Sequence, residues 1–345
     1  MKKENIVEVN NLSVRFYRDE GVLKPVNGVS FEIPAGSSVG IVGESGCGKT
    51  MTAYSLLRIL PRGGELQGQL QVRRKNGEVV DLAQMDEESE EMRRIRGNDI
   101  AMIFQEPMTA FSPVLTLYNQ VSEVLRLHTD MSEDAIRKRV IELFHLVGIP
   151  EAAERVDSYT FEFSGGMRQR AMIAMALASN PALLIADEPT TALDVTVQAQ
   201  VLRLIKKMQR RFSIALMLIT HDLGVVAHMV DYVYVMYMGE IVEAAPVREL
   251  FANPKHPYTQ DLLKSVPKMT GPKETLAHIR GSVPSCAALP TGCMFHPRCT
   301  RRVGEICWTR EPALAEVGKN HYSRCFIHSS KANEMSRESE EREYA

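Results

Sequence analysis

The stretch that decides the fold reads Gly43-Glu44-Ser45-Gly46-Cys47-Gly48-Lys49-Thr50. It fits the pattern G-x-x-x-x-G-K-[ST], a loop whose backbone N–H groups wrap around phosphates. The glycines let the backbone turn tightly and approach phosphate oxygens with no Cβ in the way. The pattern predicts that Lys49 reaches the β- and γ-phosphates of a nucleotide and that the Thr50 hydroxyl binds Mg²⁺.

The residues on both sides of this loop predict the strand and the helix that flank a phosphate-binding loop. Residues 38–42 indicate a buried strand, and residues 51–60 indicate a helix whose N-terminus faces the bound anion. A glycine-rich turn without a ligand is the alternative, but all eight loop residues fit the pattern in the right setting. The sequence therefore predicts an α/β fold organised around a phosphate loop.

Length and composition narrow the class of protein. At 345 residues the chain is long for one domain, so we expect two. Its 41 Lys and Arg residues are balanced by 43 Asp and Glu residues, so net charge does not favour a nucleic-acid partner. No run of 18 apolar residues is present, and residues 1–5 do not resemble a signal peptide. We therefore expect a cytosolic protein whose six cysteines are thiols or metal ligands rather than disulfides.

Alternating apolar residues upstream of the loop predict strands. Residues 6–9 and 12–16 are expected to form edge strands, and residues 29–33 repeat the pattern. The aromatic pair Phe16 and Tyr17 has two open interpretations, since one ring can stack on a purine or pack within the fold. Phe16 is the candidate for purine stacking.

Three segments between the loop and the later motifs are expected to be helical. Residues 83–97 carry an acidic block and then a basic one, which predicts a solvated helix with i,i+4 ion pairs and no site. Residues 116–127 and 132–147 have apolar positions at helical spacing, the second with an N-cap serine at its start. These last two segments predict a largely helical insertion between strands.

Polar side chains stand at the ends of several predicted strands. Gln105 follows one, Asp187 and Glu188 follow a second, and His221 follows a third. Open α/β sheets bind ligands at the carboxyl ends of their strands. A strand-end aspartate is the group that holds Mg²⁺ in phosphate-loop enzymes, and the adjacent Glu188 can polarise a water molecule. His221 alone would suggest a structural residue, but its position beside the other strand ends favours a site residue.

A second helix N-terminus suited to phosphate follows the insertion. Ser164, Gly165 and Gly166 precede a run of Met, Ala, Ile and Leu. By itself this pattern predicts no more than a helix cap.

Together these motifs resemble the ATP-binding subunits of ABC transporters. They occur in the order typical of that family and cover roughly residues 6–250. The matching motifs are the phosphate loop, Gln105, the signature Ser164-Gly165-Gly166-x-x-Gln169, Asp187-Glu188, residues 191–194 and His221. Two residues depart from the family pattern, Cys47 in place of a common serine and Phe163 in place of leucine. A cysteine at a helix N-terminus is expected to have a lowered pKa, which predicts an alkylation-sensitive ATPase.

The resemblance implies a P-loop NTPase in which ATP lies between the phosphate loop of one subunit and the signature of another. The residues expected to bind nucleotide on the loop side are Phe16, Gly43, Glu44, Ser45, Gly46, Cys47, Gly48, Lys49, Thr50, Met51, Gln105 and Asp187. Those expected to complete the site of the partner are Ser164, Gly165, Gly166 and Gln169.

The same resemblance implies catalytic roles. Glu188 would be the general base, and His221 would sense the γ-phosphate and hold the attacking water. Thr50, Gln105 and Asp187 would lie on the Mg²⁺ side. ATP would close the dimer and hydrolysis would reopen it, a population shift driven by differential affinity.

The motifs are most similar to those of the dipeptide/oligopeptide/nickel importer subfamily, whose C-terminal extension opens at residues 253–259. We therefore expect an ABC nucleotide-binding domain at residues 1–252, with a helical subdomain at about 106–180. The extension would occupy residues 253–330, and the Glu-, Ser- and Arg-rich residues 331–345 are expected to be disordered.

The subfamily implies partners and a place in the cell. These are a second, different ATP-binding subunit, two permease subunits and an extracytoplasmic solute-binding protein, with this chain peripheral on the cytoplasmic face of the membrane. A nickel importer, a soluble ABC ATPase of DNA repair or translation, and an exporter subunit are the alternatives. Long coiled-coil insertions or two cassettes would be typical of the soluble class, and the C-terminal extension argues against an exporter.

Four cysteines in the extension, Cys293, Cys299, Cys307 and Cys325, have the spacing C-x5-C-x7-C-x17-C. Spacing alone leaves a Cys₄ zinc site, an iron–sulfur cluster and unrelated buried thiols open, because neither paired zinc knuckles nor the ferredoxin pattern is present. The resemblance implies a [4Fe–4S] cluster on these four residues, with zinc as the alternative. Cys286 lies outside this pattern and is expected to be a free thiol.

Overall fold

The structure is a computed structural model that describes residues 4–19, 21–106, 110–191, 193–265 and 279–328. The segment 331–345, which we predict to be disordered, lies outside the described residues. Two sheets form the framework of the described part, one antiparallel and one mostly parallel.

The first sheet has four antiparallel strands in the order β2-β1-β4-β5. Their bounds are Asn5–Arg18 for β1, Gly21–Pro34 for β2, Gly64–Arg73 for β4 and Val79–Asp81 for β5. The prediction of two separate edge strands before residue 17 is wrong, since β1 is one continuous strand paired on both sides. Asn11 has a φ of 50° within a shift in register, so a local irregularity interrupts the alternation without ending the strand.

The second sheet has the strand order β11-β12-β10-β9-β3-β8-β7-β6, with parallel pairing from β9 to β6. Its strands are β3 Ser38–Val42, β6 Ile100–Ile103, β7 Leu183–Asp187, β8 Ala215–Thr220, β9 Tyr232–Tyr237, β10 Glu240–Pro246, β11 Ala315–Gly318 and β12 His321–Ser323. The predicted strands at the phosphate loop, before Gln105, before Asp187 and before His221 are confirmed as β3, β6, β7 and β8. These strands are buried on both faces, which is why their sequences are apolar runs and not alternating patterns.

Helices lie along the chain between these strands. Their bounds are α1 Lys49–Leu57, α2 Glu90–Ile95, α3 Leu117–His128, α4 Glu133–Val147, α5 Ala152–Arg155, α6 Gly165–Ala176, α7 Val195–Phe212, α8 Leu223–Met229, α9 Val247–Ala252, α10 Pro257–Lys264 and α11 Ile306–Thr309. Single 3₁₀ turns occur at Leu82–Gln84, Thr160–Glu162 and Phe326–His328. In the described part of the chain, no helix has the length and apolar character needed to cross a bilayer.

The predicted helical insertion is confirmed, because α3 to α6 lie between β6 and β7 in the chain. Ser132 caps α4 through its side chain, and Gly148 ends that helix with a φ of 79°. The prediction of one solvated helix over residues 83–97 is only partly right. A 3₁₀ turn precedes the short helix α2, whose Met92 and Ile95 are fully buried. Two apolar side chains are therefore buried in a segment for which the sequence predicts a solvated helix.

Alternate residues of the central strands point into two different cores. Leu183 and Ile185 pack into the core shared with the antiparallel sheet, whereas Leu184 and Ala186 pack into the core under the helices. The parallel sheet is thus covered on both faces, and its strand ends are left to carry polar residues.

The C-terminal segment joins the main sheet directly. Strand β12 pairs with β10, and the buried His321 Nε2 lies 2.7 Å from Glu243 Oε1. The backbone N–H groups of Lys255 and His256 donate to the same Glu243 carboxylate, at 2.6 and 2.8 Å. The division into domains at residue 252 stays a prediction, and this buried carboxylate joins the segments on both sides of it.

Candidate functional site

The phosphate loop lies in close contact with two other backbone segments. A Cβ at Gly43, whose φ is 155°, would lie 2.2 Å from the carbonyl oxygen of Met236. A Cβ at Gly48, whose φ is 103°, would lie 2.0 Å from the carbonyl oxygen of Pro25. Both glycines are therefore required by sterics as well as by conformation.

Lys49 spans the loop from inside. Its ammonium donates to the carbonyl oxygens of Gly43 at 2.9 Å and Glu44 at 3.0 Å, and the side chain is buried. Carbonyl oxygens are weaker partners for an ammonium group than phosphate oxygens. The position of Lys49 therefore fits the prediction that its ammonium group reaches the phosphates of a nucleotide.

Asp187 and Thr50 face each other across the end of β7. Asp187 is 1% exposed, and the Thr50 side chain interacts with it in the direction that lowers the pKa of the carboxylate. Burial raises the pKa of Asp187 from 3.8 to about 6, and the neighbouring Glu188 charge adds to the rise. Asp187 Oδ1 has no hydrogen-bond partner within the described part of the chain. A buried carboxylate with a free oxygen beside a hydroxyl fits the Mg²⁺ site that the sequence predicts.

Glu188 is held by three side chains that come from separate segments. Gln105 Nε2 donates to Glu188 Oε2 at 3.2 Å, and Thr191 Oγ1 donates to the same oxygen at 3.1 Å. His221 Nδ1 lies 3.1 Å from Glu188 Oε1. Glu188 has a φ of 42°, a left-handed conformation that is strained for a non-glycine residue and is typical of functional sites. Three of the predicted site residues, Gln105, Glu188 and His221, are thus brought together around one carboxylate.

The signature motif begins α6. Ser164 accepts a hydrogen bond from the Met167 backbone at 3.4 Å, which makes it the N-cap of that helix. Gln169 is 1% exposed, and its amide donates to the Pro189 carbonyl at 2.7 Å. This bond links the signature helix to the residue that follows Glu188. The predicted contacts of Ser164, Gly165, Gly166 and Gln169 with a nucleotide stay predictions.

The aromatic pair divides between core and surface. Phe16 is 7% exposed and its ring packs against Gly64, whereas Tyr17 is 55% exposed. Purine stacking by Phe16 stays a prediction, and Tyr17 presents the larger free surface of the two.

The expectation of a lowered pKa at Cys47 is wrong. Burial raises the pKa of this thiol, and the opposing charge of Lys49 does not compensate. Cys47 is 2% exposed, so the folded loop covers its sulfur. Alkylation sensitivity is therefore not expected of the folded loop.

Side chains of the C-terminal segment reach the phosphate loop, and two that contact Glu44 are not predicted from the sequence. The hydroxyl of Tyr258 accepts from the Glu44 backbone N–H at 2.9 Å, and the Arg298 guanidinium pairs with the Glu44 carboxylate. No local pattern in the sequence marks either residue as part of this site.

The four cysteines of the extension, Cys293, Cys299, Cys307 and Cys325, line one small cavity. Backbone N–H groups donate to two of the sulfurs, from Arg301 to Cys299 at 3.3 Å and from Val303 to Cys307 at 3.4 Å.

The pKa values of these thiols bear on whether their sulfurs can be metal ligands. Burial raises the pKa of Cys293 to about 12 and that of Cys325 to about 11, so both are neutral thiols unless a cation compensates. Within the described residues, no group of three or more His, Cys, Asp or Glu side chains has the arrangement needed to hold a metal ion. The four thiols thus converge in space, but their side chains are not in ligating positions.

The parallel sheet, the glycine-rich loop and the strand-end carboxylates define a phosphate-loop ATPase. The sequence family described as ABC transporter matches residues 26–191, and the one described as oligopeptide/dipeptide transporter, C-terminal region, matches residues 242–307. The chain belongs to the ATP-binding proteins of the ABC transporter family, which hydrolyse ATP with Mg²⁺.

Individual relatives agree with this assignment. A protein of Brucella ovis whose name describes a peptide import ATP-binding protein is 48% identical over 333 residues, covering 94% of this chain and 98% of the relative. The oligopeptide transport ATP-binding protein AppD of Bacillus subtilis is 45% identical over 333 residues, covering 96% and 99%. The dimeric ATP-binding cassette MJ0796, solved with ADP and Pi, superposes with a TM-score of 0.61 at 26% identity, over 70% of this chain and 99% of that one.

We expect Glu188→Gln to abolish ATP hydrolysis while nucleotide affinity stays near that of the wild type. The substitution removes the basic oxygen but keeps a side chain of the same size between Gln105 and His221. Lys49→Ala is the contrast, since it should weaken binding itself. Hydrolysis by the assembled Glu188→Gln protein within about tenfold of wild type, roughly 1.4 kcal/mol in barrier, would contradict the assignment.

The raised pKa of Asp187 predicts a pH-dependent stability. Because the folded pKa lies above the unfolded value, the fold loses stability as the pH rises from 3.8 through about 6. Asp187→Asn should therefore stabilise nucleotide-free protein by roughly 3 kcal/mol at about pH 7.5, at about 1.4 kcal/mol per pH unit, and by little at about pH 4. Urea unfolding measures this difference, with the exposed Asp130→Asn as a control that should give no pH-dependent gain. An equal gain at both pH values would show that the ionised carboxylate is not the cause.

Proposed function

We propose that this chain hydrolyses ATP to power the import of di- or oligopeptides through a membrane transporter. The convergence of Gln105, His221 and Thr191 on Glu188, beside Asp187, is the observation that carries the hydrolytic part. The match of residues 242–307 to the oligopeptide/dipeptide C-terminal region, and the names of the relatives, support a peptide as the solute.

In the proposed mechanism the phosphate loop binds the substrate and the strand ends act on it. Lys49 and the loop amides hold the phosphates of ATP. Thr50 and Asp187 would hold Mg²⁺, with Gln105 on the same side, and the ion would supply positive charge that offsets the charge of the phosphates. These groups do little covalent chemistry, so catalysis rests on their placement.

Glu188 acts on the attacking water. Its carboxylate accepts a proton from the water that attacks the γ-phosphorus, while the bond to the ADP oxygen breaks. The hydrogen bonds from Gln105 and Thr191 to Oε2 orient this carboxylate, and the nearby His221 is positioned to hold the water and sense the γ-phosphate. Water activation thereby depends on three segments of the chain being assembled, those that follow β6, β7 and β8.

We also propose that two ATP-binding subunits share each nucleotide. Ser164, Gly165 and Gly166 begin a helix of 12 residues, whose N-terminus suits a phosphate presented by a partner. The full assembly would contain a second, different ATP-binding subunit, two permeases and an extracytoplasmic solute-binding protein. The chain would lie peripherally on the cytoplasmic face of the membrane, and the helical subdomain at about 106–180 would transmit the motion.

Purification of the assembled complex tests this function. The isolated chain should be nearly inactive, and ATPase activity should appear with the second ATP-binding subunit and the permeases and should increase with peptide-loaded binding protein. Glu188→Gln in the same complex is the control for contaminating activity. Concentration-independent ATPase activity of a monomer would contradict the shared site. Stimulation by nickel but not by peptides would point to the alternative solute, and co-purification with nucleic acid would favour a soluble ABC ATPase.

We propose further that Cys293, Cys299, Cys307 and Cys325 hold a [4Fe–4S] cluster within an extension over residues 253–330. Their convergence on one cavity and the N–H groups aimed at two sulfurs support this proposal. A metal centre would supply folding energy to a segment with a small core of its own, formed by Cys307 and Phe326. A Cys₄ zinc site is the alternative.

Metal analysis decides between the two centres. Protein purified without oxygen should be brown, absorb at about 400 nm and contain about four irons per chain. Cys299→Ser should remove the colour, whereas Cys286→Ser should leave it, because Cys286 does not line the same cavity. Colourless protein with about one zinc would select the Cys₄ zinc site. Folded protein without metal would contradict both.

A further inference from the structure

Arg298 connects the C-terminal segment to the phosphate loop through a two-pronged ion pair. Its Nη1 lies 2.6 Å from Glu44 Oε2 and its Nη2 lies 3.0 Å from Glu44 Oε1. The Arg298 side chain is 4% exposed and that of Glu44 is 24% exposed. Such a bidentate pair fixes orientation as well as charge, and its burial protects it from screening by salt.

The surroundings of Arg298 hold the guanidinium in place from the side away from the loop. Nε donates to the Arg280 carbonyl at 3.0 Å, and the guanidinium carbon lies 5.8 Å from the centre of the Tyr237 ring. Tyr258 fixes the same loop residue from another direction, since its hydroxyl accepts from the Glu44 backbone. Residues far along the chain thus bond to both the backbone and the side chain of Glu44.

The charge of Glu44 explains why these contacts are important in a loop that binds phosphates. Glu44 is the second residue of a loop that wraps around phosphates, and its carbonyl already contacts the ammonium of Lys49. A free carboxylate at this position would repel a triphosphate. The guanidinium of Arg298 neutralises the carboxylate and turns it toward the C-terminal segment.

We propose that Arg298 is a positioning residue for ATP binding, acting through Glu44. This inference rests on the proposed function of the phosphate loop as the nucleotide site. By neutralising and orienting Glu44, Arg298 sets the affinity of the loop for the nucleotide, and the C-terminal segment becomes part of the ATP site without touching ATP. A purely structural link between two segments is the competing interpretation.

A double-mutant cycle on the full chain separates these interpretations. We expect Arg298→Gln to raise the Kd for Mg-ATP about tenfold or more, about 1.4 kcal/mol, because the carboxylate is left unpaired. Adding Glu44→Gln removes the unpaired charge, so the double variant should bind Mg-ATP more tightly than Arg298→Gln and about as tightly as Glu44→Gln alone. Arg310→Gln is the matched control, since Arg310 lies in the same segment and its side chain is exposed. In the assembled transporter, Arg298→Gln should raise KM for ATP and leave kcat nearly unchanged.

A second variant keeps the test valid if Arg298→Gln does not fold. Glu44→Asp retains the charge but draws it away from Arg298 by one methylene, so it should bind ATP more weakly than the neutral Glu44→Gln. Equal affinities of these two variants, or a double variant as weak as Arg298→Gln alone, would overturn the proposal. Lys49→Ala separates a failure of the proposed nucleotide site from a failure of the proposed role of Arg298. Normal ATP binding by Lys49→Ala would refute the loop as the nucleotide site and the inference with it. Weak binding there, with normal binding by Arg298→Gln, would refute the role of Arg298 alone.

Discussion

Backbone carbonyls press against the phosphate loop at two glycines, and this close packing constrains the rest of the structure. The carbonyl of Pro25 occupies the space that a Cβ of Gly48 would need, and the carbonyl of Met236 does the same at Gly43. The backbone N–H of Gly239 also donates to the Cys47 carbonyl at 3.0 Å. The loop can therefore hold its shape only when the antiparallel sheet and the end of β9 are both in place.

A second constraint on the site is the different surroundings of two neighbouring carboxylates at one strand end, since Asp187 is 1% exposed and the Glu188 side chain is 15% exposed. Asp187 keeps an oxygen without a described partner, whereas Glu188 is surrounded by hydrogen-bonding side chains. Two adjacent residues of the same type thus have different environments, one suited to a cation and the other to a water molecule. Glu188 also has a left-handed backbone, with a φ of 42°, which is strained for a residue with a side chain.

Local patterns predicted the phosphate loop, the parallel strands and the strand-end residues, because each is encoded by a few neighbouring residues. Features set by distant contacts were not predictable in this way. Arg298 and Tyr258 lie 254 and 214 positions from Glu44, and the motifs around them carry no sign of contact with Glu44. The sequence position of Cys47 predicts a lowered pKa because it does not reveal that the thiol is buried in the packed fold. The sequence of β1 predicts two strands because a local irregularity resembles a strand end.

The position of β3 has a consequence for how the protein is made. This central strand hydrogen-bonds to β8 and β9, so its backbone groups cannot all be paired until residue 237 has emerged from the ribosome. The antiparallel sheet, by contrast, pairs strands that are near one another in the chain and can form early. During synthesis an apolar strand that is later buried on both faces stays exposed to other chains, and we expect chaperones to bind the nascent protein there.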